Sequence, residues 1–175
     1  MNTLPTAVTG SHFADLRAAR QALSMASPMI EAAIQDRRVC GAGFLHVVVM
    51  DPALRPGEVP FEAAILLEKS LGGDPSGWDA DYAAFARAKA RVTWQASQGS
   101  HVLQAGSPHL LREGDSLLWG SACLDGIVVG VSGAEAWYDE AFATAIAACL
   151  RAVAKERHAA ARAAGAWTAG AEPRG

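Results

Sequence analysis

The stretch Asp125-Gly126-Ile127-Val128-Val129-Gly130-Val131-Ser132-Gly133 carries the strongest fold signal in the chain. Asp-Gly is a common two-residue hairpin turn, and the β-branched run that follows it is typical of a buried strand. We therefore predict two antiparallel strands, over residues 115–123 and 127–131, that are joined at this turn.

A helix is predicted directly after this hairpin. Ser132 and Glu135 have the spacing of a capping box, in which each side chain bonds a backbone N–H of the other residue. Apolar residues then recur at helical spacing to about His158. These residues are Tyr138, Phe142, Ile146, Leu150 and Val153. The alanine-rich remainder, 159–175, is expected to be a flexible tail.

The first half of the chain predicts a second pair of strands and a helical entry. Residues 43–50 are apolar and β-branched, and residues 61–67 follow them across a turn rich in proline and glycine. Before these strands we predict two separate helices, over 12–25 and 28–38. Their boundary is Ser27-Pro28, which has the pattern of an N-cap followed by a first-turn proline.

Between the two strand pairs we predict one more helix and a long loop. The helix begins at Asp79 or Asp81 and runs to about Gln95, and the loop covers residues 97–114. Strands joined by hairpins form an antiparallel sheet, and the helices between them must cover its faces. The fold class predicted is therefore an α/β sandwich of the profilin-like type, with a central antiparallel sheet and flanking helices. It forms one domain over 12–158, after a flexible arm over 1–11.

Composition and charge exclude several classes of protein. Hydrophobic residues make up 51% of the 175 residues and charged residues 19%, so a disordered chain is excluded. The net charge of −3 offers no basic field for nucleic acid. The longest apolar run, 41–50, is too short to span a bilayer, and we expect no membrane partner. Three cysteines without CxxC spacing and no signal-peptide pattern predict reduced thiols in the cytoplasm.

The hairpin and its helix resemble the haem-degrading domain family of GlcG-like and HbpS-like proteins. The family signature reads DGxxVGxxxVSG with an aspartate in the following helix, and Asp139 matches that position. Residues 85–90 (FARAKA) look like the family's "iArgKA" helix, and residues 45–51 look like its "vaVvD" strand. Together the matches span roughly residues 28–155. The family's Gly-Gly pair before the third strand is absent, because Leu118-Trp119 stands there.

The resemblance implies a profilin-like sandwich that often forms oligomers. For some members it implies binding of haem or a related tetrapyrrole. Segment 97–114 does not match the family well. The resemblance does not imply that this chain degrades haem.

The first candidate site is the start of the helix at Ser132. Unsatisfied backbone N–H groups and the helix dipole can bind a carboxylate there, and Gly133 would allow close approach of a ligand. The alternative is that Ser132 and Glu135 only cap each other. The family resemblance favours the edge of a pocket at this point.

Lys89 is the second candidate, because it falls on the apolar stripe of its predicted helix. The favoured interpretation is that Lys89 extends to the surface at the rim of the helix. The alternative is a pocket cation that pairs with a ligand carboxylate or with Asp139.

The histidines are the third set of candidates. No pair of them has metal-ligand spacing, so no metal site is predicted. His46 lies inside a predicted strand and is expected to be a hydrogen-bonded core residue. His101 and His109 fall in segment 97–114, where either could be an axial ligand of haem.

Three functions remain open from the sequence. The leading prediction is a homo-oligomeric protein that binds a small anionic ligand, with haem as the inherited cofactor, through Lys89, His101, Ser132, Gly133 and Asp139. The second is a small isomerase or lyase that acts on an organic acid, with Lys89 or His101 as the acid–base group. The third is a non-catalytic partner subunit of a larger enzyme.

Overall fold

The computed structural model describes residues 8–171. Its core is one antiparallel sheet of four strands in the order β2-β1-β4-β3. The strands are β1 (Phe44–Met50), β2 (Ile65–Gly72), β3 (Ser121–Leu124) and β4 (Ile127–Ser132). The α-helices are α1 (Leu16–Ile34), α2 (Tyr82–Ala96), α3 (Ser100–Gly106) and α4 (Ala136–Ala163). This arrangement confirms the predicted α/β fold with a central antiparallel sheet and flanking helices.

Helices cover both faces of the sheet. Side chains alternate between the faces along each strand, and β1 shows this clearly. Leu45, Val47 and Val49 join the apolar cluster formed with α1 and α4. Val48 and Met50 point to the other face, where they pack with three residues of α2, Ala86, Ala90 and Trp94. The two faces therefore belong to two separate cores.

The predicted helix pair at the start of the chain is wrong, because α1 runs through Pro28 as one helix. Its buried residues keep helical spacing on both sides of the proline, from Leu23 and Ala26 to Ile30. The hydroxyl of Ser27 donates to the carbonyl oxygen of Leu23 at 2.9 Å and so acts within the helix rather than as a cap. Burial of a continuous apolar stripe outweighs the cost of one interior proline.

The bounds of two predicted strands also differ. Phe61–Ala64 forms a 3₁₀ turn, and β2 begins only at Ile65. The third strand is shorter than predicted, because β3 pairs with β4 only from Ser121 onward. Segment 97–114 is not a structureless loop, since it contains α3 and a second 3₁₀ turn, Pro108–Leu110.

The two ends of the domain are tied to each other. Helix α4 continues to Ala163, past the predicted end at His158. Arg157 forms two hydrogen bonds with the carboxylate of Asp15, the N-cap of α1, at 2.7 and 2.8 Å. The backbone N–H of Ser11 donates to the carboxylate of Asp51 at 3.0 Å. Residues 1–7 of the predicted arm and 172–175 of the predicted tail lie outside the described residues.

Candidate functional site

A cleft of about 370 Å³ opens on the α2 side of the sheet, where β4 passes into α4. Helix α2, the segment 117–119 and the turn 132–136 surround it. The residues that line it are Tyr82, Phe85, Lys89, Leu117, Leu118, Trp119, Ser132, Gly133, Ala134, Ala136 and Asp139. Four of the five predicted site residues are in this set, and His101 is the exception.

Lys89 and Asp139 form a buried ion pair at this cleft. Lys89 Nζ lies 2.8 Å from Asp139 Oδ2 and donates a second hydrogen bond, of 3.0 Å, to the carbonyl oxygen of Val131. The side chains are only 4% and 1% exposed. The favoured sequence interpretation of Lys89, extension to the surface, is therefore wrong. Its alternative, a pairing with Asp139, is confirmed.

The carboxylate of Asp139 also occupies the predicted anion site at the helix start. Its Oδ1 accepts a hydrogen bond from the backbone N–H of Ala134 at 3.0 Å, and the N–H of Gly133 is close enough to lower the pKa of the carboxyl group. The N–H of Glu135 donates to the carbonyl oxygen of Val39 at 2.9 Å. The chain therefore satisfies these donors internally.

Burial raises the pKa of Asp139 from 3.8 to about 6. The loss of solvation outweighs the effects of the Lys89 ammonium and of the N–H groups of Ala134 and Gly133, which lower the pKa. A carboxyl group with a pKa near neutrality can exchange protons at physiological pH.

Ser132 is not a helix cap, so the predicted capping box is wrong. Ser132 is the last residue of β4, and Glu135 is the N-cap of α4, without a hydrogen bond from its side chain. Ser132 is 4% exposed. Within residues 8–171 its hydroxyl has no hydrogen-bond partner. A nearly buried hydroxyl at a cleft wall, free to donate or accept, is a ready contact for a ligand.

Gly133 is required by the fold. Its φ is +139°, a region that side chains rarely adopt. A Cβ atom at this position would overlap the carbonyl oxygen of Phe44 and lie 2.6 Å from the Cα of Leu45. The glycine lets the chain turn from β4 into α4 directly against β1.

Apolar side chains form the two walls of the cleft. Tyr82 and Phe85, one turn apart on α2, face the segment Leu117, Leu118 and Trp119. The sequence analysis did not identify these five residues as part of a site. Residues 117–119 were predicted to belong to a strand, but β3 begins only at Ser121, and these residues line the cleft instead.

The two histidines of segment 97–114 are not among the residues that line the cleft. The His101 ring stacks on the Trp119 ring at 4.4 Å, and its Nδ1 lies 3.6 Å from a carboxylate oxygen of Glu140. His109 is exposed on the 3₁₀ turn. His46, by contrast, is buried in β1, with Nδ1 3.0 Å from Ser70 Oγ. This confirms that His46 is a hydrogen-bonded core residue.

A larger cleft, of about 420 Å³, lies on the outer side of α2. Its two arginines are already engaged, Arg87 with Glu68 at 2.6 Å and Arg91 with Glu62 at 3.0 Å. Both arginine side chains are about half exposed. Exposed ion pairs of this kind contribute little to stability, and both arginines already have partners. This larger cleft is therefore the weaker candidate site.

Within the described part of the chain, no three or more His, Cys, Asp or Glu side chains cluster closely enough to hold a metal ion. No helix among residues 8–171 is long and apolar enough to cross a membrane.

Comparison with known proteins gives one informative structure. The crystal structure of Klebsiella pneumoniae protein ORFY, described with the family DUF336, superimposes with a TM-score of 0.53 and 19% sequence identity. The match covers 87% of this chain and 97% of that one. DUF336 is the GlcG-like family. The similarity shows the fold. No protein-family model matches the sequence, and no curated protein matches it significantly.

Proposed function

We propose that this protein is a GlcG-like ligand-binding protein that holds a small organic molecule in the cleft between α2 and the start of α4. The observation that carries this proposal is the buried Lys89–Asp139 pair, which lines a cleft whose walls are apolar. Ligand sites are typically concave and mostly apolar, with a few convergent polar groups. At about 370 Å³ the cleft falls within the usual size range for such sites.

The cost of the ion pair supports a functional role. Removing two charges from water costs several kcal/mol per ion, and well-packed apolar residues often stabilise a fold as well or better. A pair that also lines an open cleft, with one member at a shifted pKa, is typical of a functional site. Asp139, with its pKa of about 6, has this property.

The proposal is tested by native mass spectrometry of the purified protein. We expect a co-purifying small molecule with the wild-type chain and its loss with the double variant Lys89→Met/Asp139→Leu. The double variant removes both charges together, so that neither is left unpaired in the core. Lys155→Met, on the exposed part of α4, is the matched control and should retain the molecule. A folded double variant that retains the molecule contradicts the proposal.

Haem remains a prediction of the family resemblance, and the residues at the cleft do not fit it well. Neither His101 nor His109, the two predicted alternatives for an axial ligand, lines the cleft, and His101 is stacked against Trp119. The donors predicted for a ligand carboxylate are bonded to Asp139. We therefore propose a ligand smaller than haem. A Soret band that titrates to one haem per chain and is lost in His101→Ala would contradict this choice.

The second candidate function is acid–base catalysis on an organic molecule, and the raised pKa of Asp139 favours it. A carboxylate that is only just ionised at neutral pH is suited to accept a proton from a bound substrate, while Lys89 remains positioned to stabilise negative charge. Asp139 then takes the role that the sequence analysis gave to Lys89 or His101. The test is incubation of the protein with the co-purified molecule in D₂O. Deuterium incorporation that Asp139→Asn abolishes supports catalysis, whereas no exchange above buffer contradicts it.

Self-association remains a proposal that the exposed apolar surface supports. Leu117 is 73% exposed and Trp137 is 56% exposed, both beside the cleft. The Trp137 ring lies 6.4 Å from the Trp119 ring of the cleft wall, and exposed apolar side chains that group together often mark an interaction site, either with a second copy or with a partner enzyme subunit. A mass near 18.2 kDa by light scattering at micromolar concentration would contradict a homo-oligomer.

A further inference from the structure

We infer that the group of the ligand that reaches the end of the cleft is an uncharged oxygen group, a carbonyl or a hydroxyl, which hydrogen-bonds to Ser132 Oγ. The inference deepens the proposed function and rests on it. It excludes a carboxylate at this position, which is the group that the sequence pattern favoured.

The first step of the argument concerns the donors that a carboxylate would need. Three of them converge at the end of the cleft: Lys89 Nζ and the backbone N–H groups of Gly133 and Ala134. Lys89 Nζ and the N–H of Ala134 bond the carboxylate of Asp139, and the N–H of Gly133 lowers its pKa. The carboxylate of Asp139 therefore occupies the position that a ligand carboxylate would need.

The second step concerns charge. Among the residues that line the cleft, Asp139 is the acidic one and Lys89 is the basic one, and they neutralise each other. A ligand carboxylate beside them would meet the negative charge of Asp139 without an unpaired cation to offset it. Two carboxylates in one poorly solvated site cannot both stay ionised without a large penalty. An uncharged group avoids this penalty.

The third step identifies the polar atoms that are still free. Ser132 Oγ, in a side chain more than nine-tenths buried, has no partner within the described residues, and it can both donate and accept. Lys89 Nζ carries three protons, of which two bond Asp139 and the carbonyl oxygen of Val131. The hydroxyl of Tyr82 is engaged, because it donates to Asp79 at 2.9 Å. One ligand oxygen therefore accepts from Ser132, which lines the cleft together with Lys89.

The fourth step concerns the rest of the ligand. Beyond this polar end, the cleft has aromatic side chains on both walls, Tyr82 and Phe85 on one and Trp119 on the other. Aromatic side chains pack favourably against a flat apolar ring. The expected ligand is therefore a compact molecule with a ring-like apolar body and one uncharged oxygen-bearing end.

Two matched pairs of probes test the inference. Benzamide and benzoate share one ring, and cyclohexanecarboxamide and cyclohexanecarboxylate share another, so that within a pair only the polar end differs, an uncharged carboxamide against a charged carboxylate. Each probe is titrated at pH 7.5 into ¹⁵N-labelled full-length protein, and shifts of the amide signals of Phe85, Ser132 and Ala134 are followed. We expect each amide to bind at least about 10-fold more tightly than its acid, the size of one charge-dependent contact.

A variant tests the role of Ser132. Ser132→Ala should weaken amide binding by about 10-fold, while Ser24→Ala, on an exposed position of α1 across the sheet, should leave it unchanged. The hydroxyl of Ser132 makes no hydrogen bond to another described residue, so this variant is expected to fold.

The outcomes separate the inference from the proposed function. Acids that bind as tightly as their amides overturn the inference and leave ligand binding in the cleft intact. Unchanged amide affinity in Ser132→Ala also overturns it. If no probe of either pair shifts these signals, the proposed cleft function fails together with the inference.

Discussion

The two faces of the sheet are built from the same strands but differ in chemistry. On the face covered by α1 and α4, the buried side chains form one continuous apolar cluster. On the face covered by α2, the apolar cluster is smaller, and buried polar groups accompany it. These groups include His46, Lys89, Ser132 and Asp139.

We propose that this difference separates stability from ligand binding. An apolar layer needs only volume and shape to match, and it contributes the larger share of the burial free energy. The α2 face retains charges and hydroxyls whose burial is costly, and the cleft opens on this face. We therefore expect substitutions on the first face to change stability alone, and substitutions on the second to change binding as well.

The largest effect is expected from breaking the ion pair on the α2 face. Lys89→Met should lower the free energy of unfolding by about 3–5 kcal/mol, because it leaves the carboxylate of Asp139 buried without its cation. Urea denaturation measures the change. The double variant Lys89→Met/Asp139→Leu should recover most of the loss, and the exposed Lys155→Met should stay within about 0.5 kcal/mol of wild type. Equal losses in the single and double variants would show that the pair is not coupled.

A cavity in the opposite layer tests the apolar face. Leu150 on α4 is fully buried, so Leu150→Ala should lower the free energy of unfolding by about 3 kcal/mol. Ligand affinity should not change, since Leu150 does not contact the cleft. Leu117→Ala, at an exposed apolar residue of the cleft wall, is the matched comparison. It should weaken binding and leave stability within about 0.5 kcal/mol. The reverse pattern would contradict the division between the faces.

Gly133 lies in the turn from β4 into α4, and a substitution there tests whether the stability of the fold depends on this turn. Gly133→Ala should cost about 2 kcal/mol, because its φ of +139° and the nearby Leu45 backbone both oppose a Cβ atom. Gly41→Ala, where a Cβ atom would meet nothing within 4 Å, should be nearly neutral. A thermal melt compares them, and equal melting temperatures would show that the turn can relax.

The titration of Asp139 should appear in the pH dependence of stability. Its folded pKa of about 6 lies above the ordinary value of 3.8, so its contribution is fully present below pH 4 and is lost as the pH rises through 6. The slope is at most about 1.4 kcal/mol per pH unit, the limit for one proton.

His46 opposes this slope, because burial lowers the pKa of its ring. The measurement is therefore the difference between wild type and Asp139→Asn between pH 4 and 7. A difference that does not vary with pH would place the folded pKa of Asp139 near its ordinary value.

The smallest stability effect is expected at Ser132. Because Ser132 does not cap α4, Ser132→Ala should change the free energy of unfolding by less than about 0.5 kcal/mol. A cap would have contributed about 1 kcal/mol. Chemical denaturation distinguishes the two values, and a loss near 1 kcal/mol would restore a capping role for Ser132.

Local patterns predicted the parts of the fold that depend on neighbouring residues. The Asp125-Gly126 turn and the β-branched run after it gave the β3–β4 hairpin, and residues 43–50 gave β1. The errors arose where a distant contact decided the outcome. Pro28 was interpreted as a helix boundary, but the packing of α1 against the sheet and α4 holds the helix continuous through it.

For the candidate site, the sequence by itself determined which residue types stand at the start of α4 and on the inner stripe of α2. It did not determine that Lys89 and Asp139, 50 residues apart, meet beneath a cleft. That contact exists because α2 packs on the same face of the sheet from which β4 turns into α4. Local periodicity shows which face of an element is buried. Only the packing of the elements against each other decides which buried polar group finds a partner, and which, like the hydroxyl of Ser132, has none among residues 8–171.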